Sequence, residues 1–355
     1  MVMAGRSAAT AVAALAFALE VSLPAFAHAQ AWLPVRGETN LSLTFQHINL
    51  SGHFDTDGSK LESAIPSQAH LVIVEGEYGL TDRLAFNVRL PYIASKFTGG
   101  DNEPFTLELR QLAEELRHLT PITEELTSLD TGSYYATFQD LGLTLRYNVL
   151  DKGLVVTPVV GATIPSHHYR TVGEAAAGQD RLALHTGVNI GRLLEPLLPH
   201  AYVHARYTYS FVQPVYGVPL DRSNAEFEIG YAVTPTVAVH ALAAWEQSHG
   251  GLGYMETYNR GFGLDGQPPN PRLFLDHDRL LASRYWHVGG GATVLLTDAI
   301  DLNGALLTYV SGADSHYGVG LTVGLTWRVR PGGVPSPSTR FGPSFARTSA
   351  APSGR

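Results

Sequence analysis

The sequence predicts an all-β protein: a transmembrane antiparallel β-barrel of about twelve strands, with a short helix in one long outer loop. Three observations carry that expectation. Charged residues make up 16% of the 355, against roughly 25% in an ordinary soluble domain. Yet no run after the N-terminus holds the roughly 18 consecutive apolar residues of a membrane helix. Apolar residues instead recur at every second position, in runs whose connections alternate between short and long.

The first thirty residues read as an export signal, with Arg6 as the positive start and Ala8 to Leu23 as an alanine-rich apolar stretch. Ala25-Phe26-Ala27 fits a small-x-small cleavage site, and cleavage after Ala29 fits as well. From Thr39 the period becomes two. Leu41, Leu43 and Phe45 alternate with Ser42, Thr44 and Gln46, and Leu84, Phe86, Val88 and Leu90 alternate with Ala85, Asn87 and Arg89. Such alternation marks strands with one apolar face.

Twelve runs follow: 39–49, 68–78, 84–93, 138–149, 154–165, 181–192, 201–212, 223–233, 237–246, 280–296, 300–310 and 317–329. Most reach the roughly 9–11 residues with which a tilted strand crosses a bilayer. Tight turns fall at Thr81-Asp82, Asp151-Lys152-Gly153, Thr234-Pro235 and Thr297-Asp298, with a longer Leu194–His200 link. The intervening connections 50–67, 94–137, 166–180 and 247–279 are long. Short turns at one end and long loops at the other describe an outer-membrane barrel with both termini periplasmic. An even strand number lets the sheet close with no edge, which lipid requires.

Tyr78, Tyr92, Tyr147, Tyr231, Trp245, Trp286 and Trp327 fall near strand ends on the apolar parity, where interfacial girdles sit. A soluble sandwich is the bland competitor, disfavoured by strands this long without Greek-key spacing. Within 94–137, Leu109, Leu112, Leu116 and Leu119 form one stripe of a helix over 105–119 that Pro121 ends. The Pro/Gly/Ser-rich tail 330–355 reads as disordered.

Composition also excludes. Twenty-four Lys+Arg against 32 Asp+Glu, a formal charge of −8, lack the basic clusters that nucleic acid needs. Zero cysteine rules out disulfides, Cys-ligated metals, a thiol nucleophile and a lipidated cysteine.

The turn Gly79-Leu80-Thr81-Asp82-Arg83-Leu84, followed by Leu90-Pro91-Tyr92, resembles outer-membrane proteins grouped as "MetA-pathway of phenol degradation" putative transporters. Further matches are Asp140-Leu141-Gly142-Leu143 with Arg146-Tyr147, and Thr157-Pro158 leading to Thr163-Ile164-Pro165. The resemblance spans roughly 39–329. It departs at Phe138-Gln139, where glycines are expected, and in the long 94–137 insert. It implies passage of small, aromatic or apolar compounds across the outer membrane.

With the apolar parity facing lipid, the opposite parity lines the lumen. It carries Glu75, Glu77, Arg89, Asp140, Arg146, His185, His204, Arg206, Glu226, Glu228 and His240, joined by Tyr285 and His287. Mixed charges across a narrow bore make a constriction that sorts solutes; the competing reading is a salt-bridged filling. The Leu109/Leu112/Leu116/Leu119 stripe is expected to gate the mouth as a plug or lid, packing on Leu252, Tyr254, Met255, Phe262 or Phe274. Packing that only stiffens the barrel top is the alternative.

His167-His168 and Asp276-His277-Asp278 lack the ligand spacing of a metal site. A lipid-facing acyl hydrolase needs Ser and His together on neighbouring strands. His47 faces lipid with no Ser opposite, while Ser210 and His204 sit six residues apart along one strand. Gly289-Gly290-Gly291 and Gly318-x-Gly320 precede no helix and are not phosphate loops.

The expectation is therefore a non-enzymatic channel for small solutes, with no cofactor and no metal, its polar lumen narrowed by the 94–137 loop. The alternative is a filled barrel whose outer loops bind a partner. Expected partners are the lipid bilayer, a small-molecule solute and the barrel assembly machinery.

Overall fold

The computed structural model describes residues 31–97, 129, 131–173 and 175–330. The export signal 1–29, the 105–119 helix with Leu109, Leu112, Leu116 and Leu119, and all but Arg330 of the tail lie outside the described residues.

Fourteen strand segments build the wall: β1 (Thr39–Phe54), β2 (Lys60–Thr81), β3 (Leu84–Lys96), β4 (Tyr135–Phe138), β5 (Leu141–Tyr147), β6 (Leu150–Lys152), β7 (Leu154–Ile164), β8 (Ala183–Leu193), β9 (Ala201–Val212), β10 (Arg222–Thr234), β11 (Val237–Ser248), β12 (Arg284–Leu295), β13 (Ile300–Ala313) and β14 (Ser315–Val329). Neighbours pair antiparallel, and β1 pairs with β14 from Thr39↔Val329 to Phe54↔Ser315. Twelve staves therefore close on themselves in the order β1, β2, β3, β5, β7, β8, β9, β10, β11, β12, β13, β14. Closure satisfies every ladder without an edge.

The two parities separate as alternation requires. On β1, Leu41, Leu43 and Phe45 are 42%, 54% and 43% exposed, whereas Thr44 and Gln46 are 9% and 0%. Leucines outward and polar groups inward invert a soluble core, and suit a wall wetted by lipid. Tyr78, Tyr92, Tyr147, Tyr231, Trp286 and Trp327 face outward, and half-buried Trp245 packs on Trp286 at 6.3 Å. Val323 sits on this face at mid-height, between Phe45 of β1 and Gly304 of β13. Val323→Arg is expected to cost about 2–4 kcal/mol, the charge of an arginine at the bilayer midplane. A urea unfolding series in lipid vesicles measures it, and an unchanged midpoint would mean that this face meets water.

Three expectations need correction. The 138–149 run is shorter as a strand, β5 (Leu141–Tyr147), with Phe138 ending β4 and β6 beginning only at Leu150. Pro91 on β3 has no N–H, so the ladder lapses there and the Gln139 amide donates to the Pro91 carbonyl instead, 2.9 Å. The 50–67 connection is no long loop. β1 and β2 continue past a register shift at Leu50/Gly52 and meet in a turn at 55–59, where Gly58 takes φ 84°. Finally, residues 280–283 belong to the preceding loop, because Leu280 and Leu281 are buried beneath it.

That loop carries the described helices, α1 (Tyr254–Phe262) and α2 (Pro271–Leu275), then a 3-10 turn at His277–Arg279. Gly263, at φ 69°, ends α1 in the left-handed region that glycine adopts without strain.

Candidate functional site: the barrel lumen

Nine of the thirteen lumen candidates gather in the half of the bore nearer the short turns. The guanidinium of Arg146 on β5 pairs with the carboxylate of Glu77 on β2, their side chains 7% and 14% exposed. Asn87 donates to Glu75 at 2.7 Å. Arg206 and Glu226 stand opposite each other on β9 and β10, 3.8 Å apart, and the Tyr202 hydroxyl donates to Glu228 at 2.6 Å.

These groups interact across the bore as well as along the wall. Arg89 on β3 feels Glu75, Arg206 and Glu226, and Arg146 feels both Glu75 and Arg206. His204 lies in the field of Arg206 and Arg146. Since β2 and β10 are six staves apart, half the circumference, Glu75 and Glu226 belong to facing walls. The belt is a transverse field of alternating sign.

His240 completes the nine, and four candidates lie nearer the long loops. Both ring nitrogens of His185 are held by Thr163 and Ser210, at 2.7 and 2.8 Å, along the wall. His240 stands opposite Gly291, and a Cβ there would come within 2.6 Å of its Nε2. Asp140 accepts the Tyr169 hydroxyl at 2.6 Å beneath the 165–182 loop. Tyr285 and His287 join Tyr309 in a stack with centroids 5.3–6.0 Å apart, nearer the long loops.

That stack belongs to an inner surface that parity reasoning passed over. Ile48, Leu50, Leu71, Ile73, Ile93, Leu242 and Leu307 face inward with Tyr285, Tyr309 and Ala177 as one apolar cluster. The signal was present: in Leu71–Val74 and Ile93–Ala94 both parities are apolar, as in strands buried on two sides. The upper lumen is thus apolar and aromatic along β1, β2, β3, β12 and β13, faced on β10 and β11 by the Arg222–Glu246 pair at 3.9 Å with Asn224 and Gln179 beside it, and the lower lumen is charged.

The 165–182 loop descends onto this surface. Ala175, Ala176 and Ala177 are fully buried, and the Ser95 hydroxyl and Gln139 amide donate to the Ala175 and Ala177 carbonyls. Asp276 ties the loops together above. Its carboxylate accepts Thr171 at 3.0 Å, Tyr216 at 3.1 Å and Arg279 at 3.0 Å. Burial pushes the Asp276 carboxyl above its usual range, opposed by Arg279 and the two hydroxyls. Leu252, Tyr254, Phe262 and Phe274 pack within this assembly, Phe262 on Phe274 at 5.1 Å, while Met255 stays exposed.

Besides the His185–Ser210 contact, a Ser–His pair lies near the long loops. Ser223 Oγ lies 2.6 Å from His249 Nε2 at the outer rim. Asp221 is turned to Tyr209 and the Val212 amide rather than to the histidine, and Ser223 is 3% exposed. Among the described residues no acid is recorded orienting the histidine, and the serine is buried. Among the described residues no group of three His, Asp or Glu is placed to hold a metal ion. His167 is engaged by Thr137 and Ser166, at 2.9 Å each.

A closed twelve-stave barrel, apolar outside and charged within, defines the chain as an outer-membrane-type β-barrel. Among solved structures it is similar to the COG4313 outer membrane channel from Pseudomonas putida F1. The TM-score is 0.59 at 15% identity, over 84% of this chain and 97% of that one. The NanC porin gives 0.45 at 8% identity, over 81% and 100%, and the β domain of the Bordetella autotransporter BrkA gives 0.44 at 11%, over 82% and 100%. No family model and no curated protein matches the chain.

Proposed function

We propose that the protein is a passive channel of the bacterial outer membrane, admitting small solutes with an apolar or aromatic body. The observation that carries this reading is the graded lumen: an upper bore with one continuous apolar, aromatic wall above a belt in which Arg89, Arg206, Glu75 and Glu226 face one another. An apolar body partitions into the first zone, and the belt sorts what leaves it by charge and dipole. The P. putida neighbour is described as an outer membrane channel, which supports the reading, as does the resemblance to putative transporters. An outer-membrane barrel by itself has neither ATP nor an ion gradient, so passage is downhill. The export signal, insertion by the barrel assembly machinery and narrowing by the 94–137 loop belong to the same proposal.

The test is planar-bilayer conductance of the refolded mature protein, with and without residues 100–130. Conductance in either form supports a continuous path, and an increase on deletion makes the loop its gate. In conducting forms, Glu75→Gln with Glu226→Gln is expected to move selectivity toward anions, and Arg206→Gln toward cations. Silence in both forms, with heat-modifiable folding intact, would mean a filled barrel and would move attention to the outer loops as a binding surface.

A further inference from the structure

The chain does not begin at the wall. Before β1, residues 31–36 lie inside the rim at the short-turn end, and their contacts sit on opposite sides of the bore. At one side, the Gly37 amide donates to the Gly79 carbonyl at 2.8 Å and the Gly79 amide to the Glu38 carbonyl at 2.9 Å, continuing the β1–β2 ladder. The carbonyl of Val35 lies so near that a Cβ on Gly79 would fall 2.2 Å from it. At the other side, the Thr157 hydroxyl of β7 donates to the Ala31 carbonyl at 2.7 Å, and the Trp32 ring meets Tyr202 of β9 edge-on at 6.2 Å.

Between these contacts Gly191 of β8 forms a cradle. A Cβ there would stand 2.7 Å from the Ala31 Cβ and 2.7 Å from the Trp32 ring. Thr157, Gly191 and Tyr202 all share the inward parity, so the seat is within the lumen. β9 is six staves from β1, directly across the barrel. Val35–Glu38 is a tight turn, the Glu38 amide donating to the Val35 carbonyl at 3.0 Å, so the crossing falls to the run from Ala31 to Val35, whose reach is up to about 14 Å. Ala31 is fully buried and Pro34 is buried, whereas a loose leader would be wet.

We infer that residues 31–36 are a stopper strap across the periplasmic mouth, hinged at Gly37 and latched by Trp32 in the Gly191 cradle, and that solute leaves the bore when the latch releases. This rests on the channel reading above. Gly37 has φ 79°, a conformation in which glycine turns the chain freely from wall to lumen. The latch is slight: one hydroxyl bond, one ring contact and a fitted glycine hold it, against a full β-ladder at the hinge. A strap so built opens at its Trp32 end. The strap lies beside the belt, since Tyr202, which receives the Trp32 ring, also donates to Glu228.

Because the chain has no cysteine, Ala31→Cys with Gly191→Cys gives a clean lock. A disulfide needs Cβ atoms about 3.5–4.5 Å apart, a retreat that the terminal segment can make. Single-channel conductance of the pair is compared oxidised and reduced, beside wild type and a variant lacking 31–36. Expected are silence when oxidised, recovery on adding reductant, and a larger steady conductance from the deletion. Gly191→Leu, which fills the cradle, should behave as the deletion does, and heat-modifiable mobility reports folding for every variant. Equal conductance oxidised and reduced, or a deletion indistinguishable from wild type, overturns the strap and leaves the channel reading standing. Silence from all folded forms, the deletion included, overturns both.

Discussion

Arg146→Met is expected to destabilise the barrel by about 3–5 kcal/mol, the cost of stranding one member of a buried ion pair. The pair spans β5 and β2, and with both side chains nearly closed to solvent, the Glu77 carboxylate would keep its charge beside Glu75 without a counter-ion. Urea unfolding in vesicles measures the loss. Glu77→Gln on that background should recover most of it, and the double-mutant cycle isolates the coupling. The magnitude also decides the nature of the bore. A loss of about 0–1 kcal/mol, as at exposed pairs, would mean that water reaches the belt and that its charges serve selectivity. The full loss would mean that they serve as a dry girder, with the path running beside them.

Much of the wall was legible in the sequence because lipid keeps the outward positions of each strand predominantly apolar. Leu41, Leu43 and Phe45 have one possible environment, and the short turns at 82, 153, 235 and 297 left little freedom in the register. Errors arose where that constraint stops. Beyond Leu50 the register shifts, alternation lapses, and the hairpin to 55–59 reads as loop although its backbone stays paired. Pro91 acts on a neighbouring strand, so the break at Gln139 and Asp140 has its cause some fifty residues away.

The lumen was half legible. Polar residues at inward parity point toward the bore by geometry alone, which assigns Glu75, Arg89, Arg206 and Glu226 to the lumen side without saying which of them face one another. Parity does not reveal height, so Tyr285 and His287 were grouped with charges they do not meet. Nor does it flag apolar residues at inward positions, since Ile48 or Leu71 looks like any strand residue until its partner face is known to be lumen. Residues 31–36 carried no signal of their own. Their period is neither two nor 3.6, and their position follows from Gly79 and Gly191, whose missing side chains leave the room they occupy.

Glycines in the wall divide sharply by what a methyl would meet, and this gives the second large effect. A Cβ on Gly187 of β8 would lie 2.1 Å from the Tyr207 carbonyl and 2.9 Å from the Thr208 Cα, both backbone of β9. Backbone in a closed ladder cannot step aside without opening its own pairing, since Gly187 is in register with Thr208. Gly304 of β13 offers the contrast, with nothing nearer than the Thr322 carbonyl at 3.8 Å. Replacing glycine by alanine gains about 0.4–1 kcal/mol from the unfolded chain wherever the backbone admits it. Gly304→Ala should therefore be neutral or slightly stabilising. Gly187→Ala should lose at least the 1–3 kcal/mol typical of overpacking, read as a lowered urea midpoint and a fall in heat-resistant folded band. Equal behaviour of the two would place β8 farther from β9 than the ladder has it. The His185–Ser210 contact, two residues along the same pair of strands, would then be lost as well.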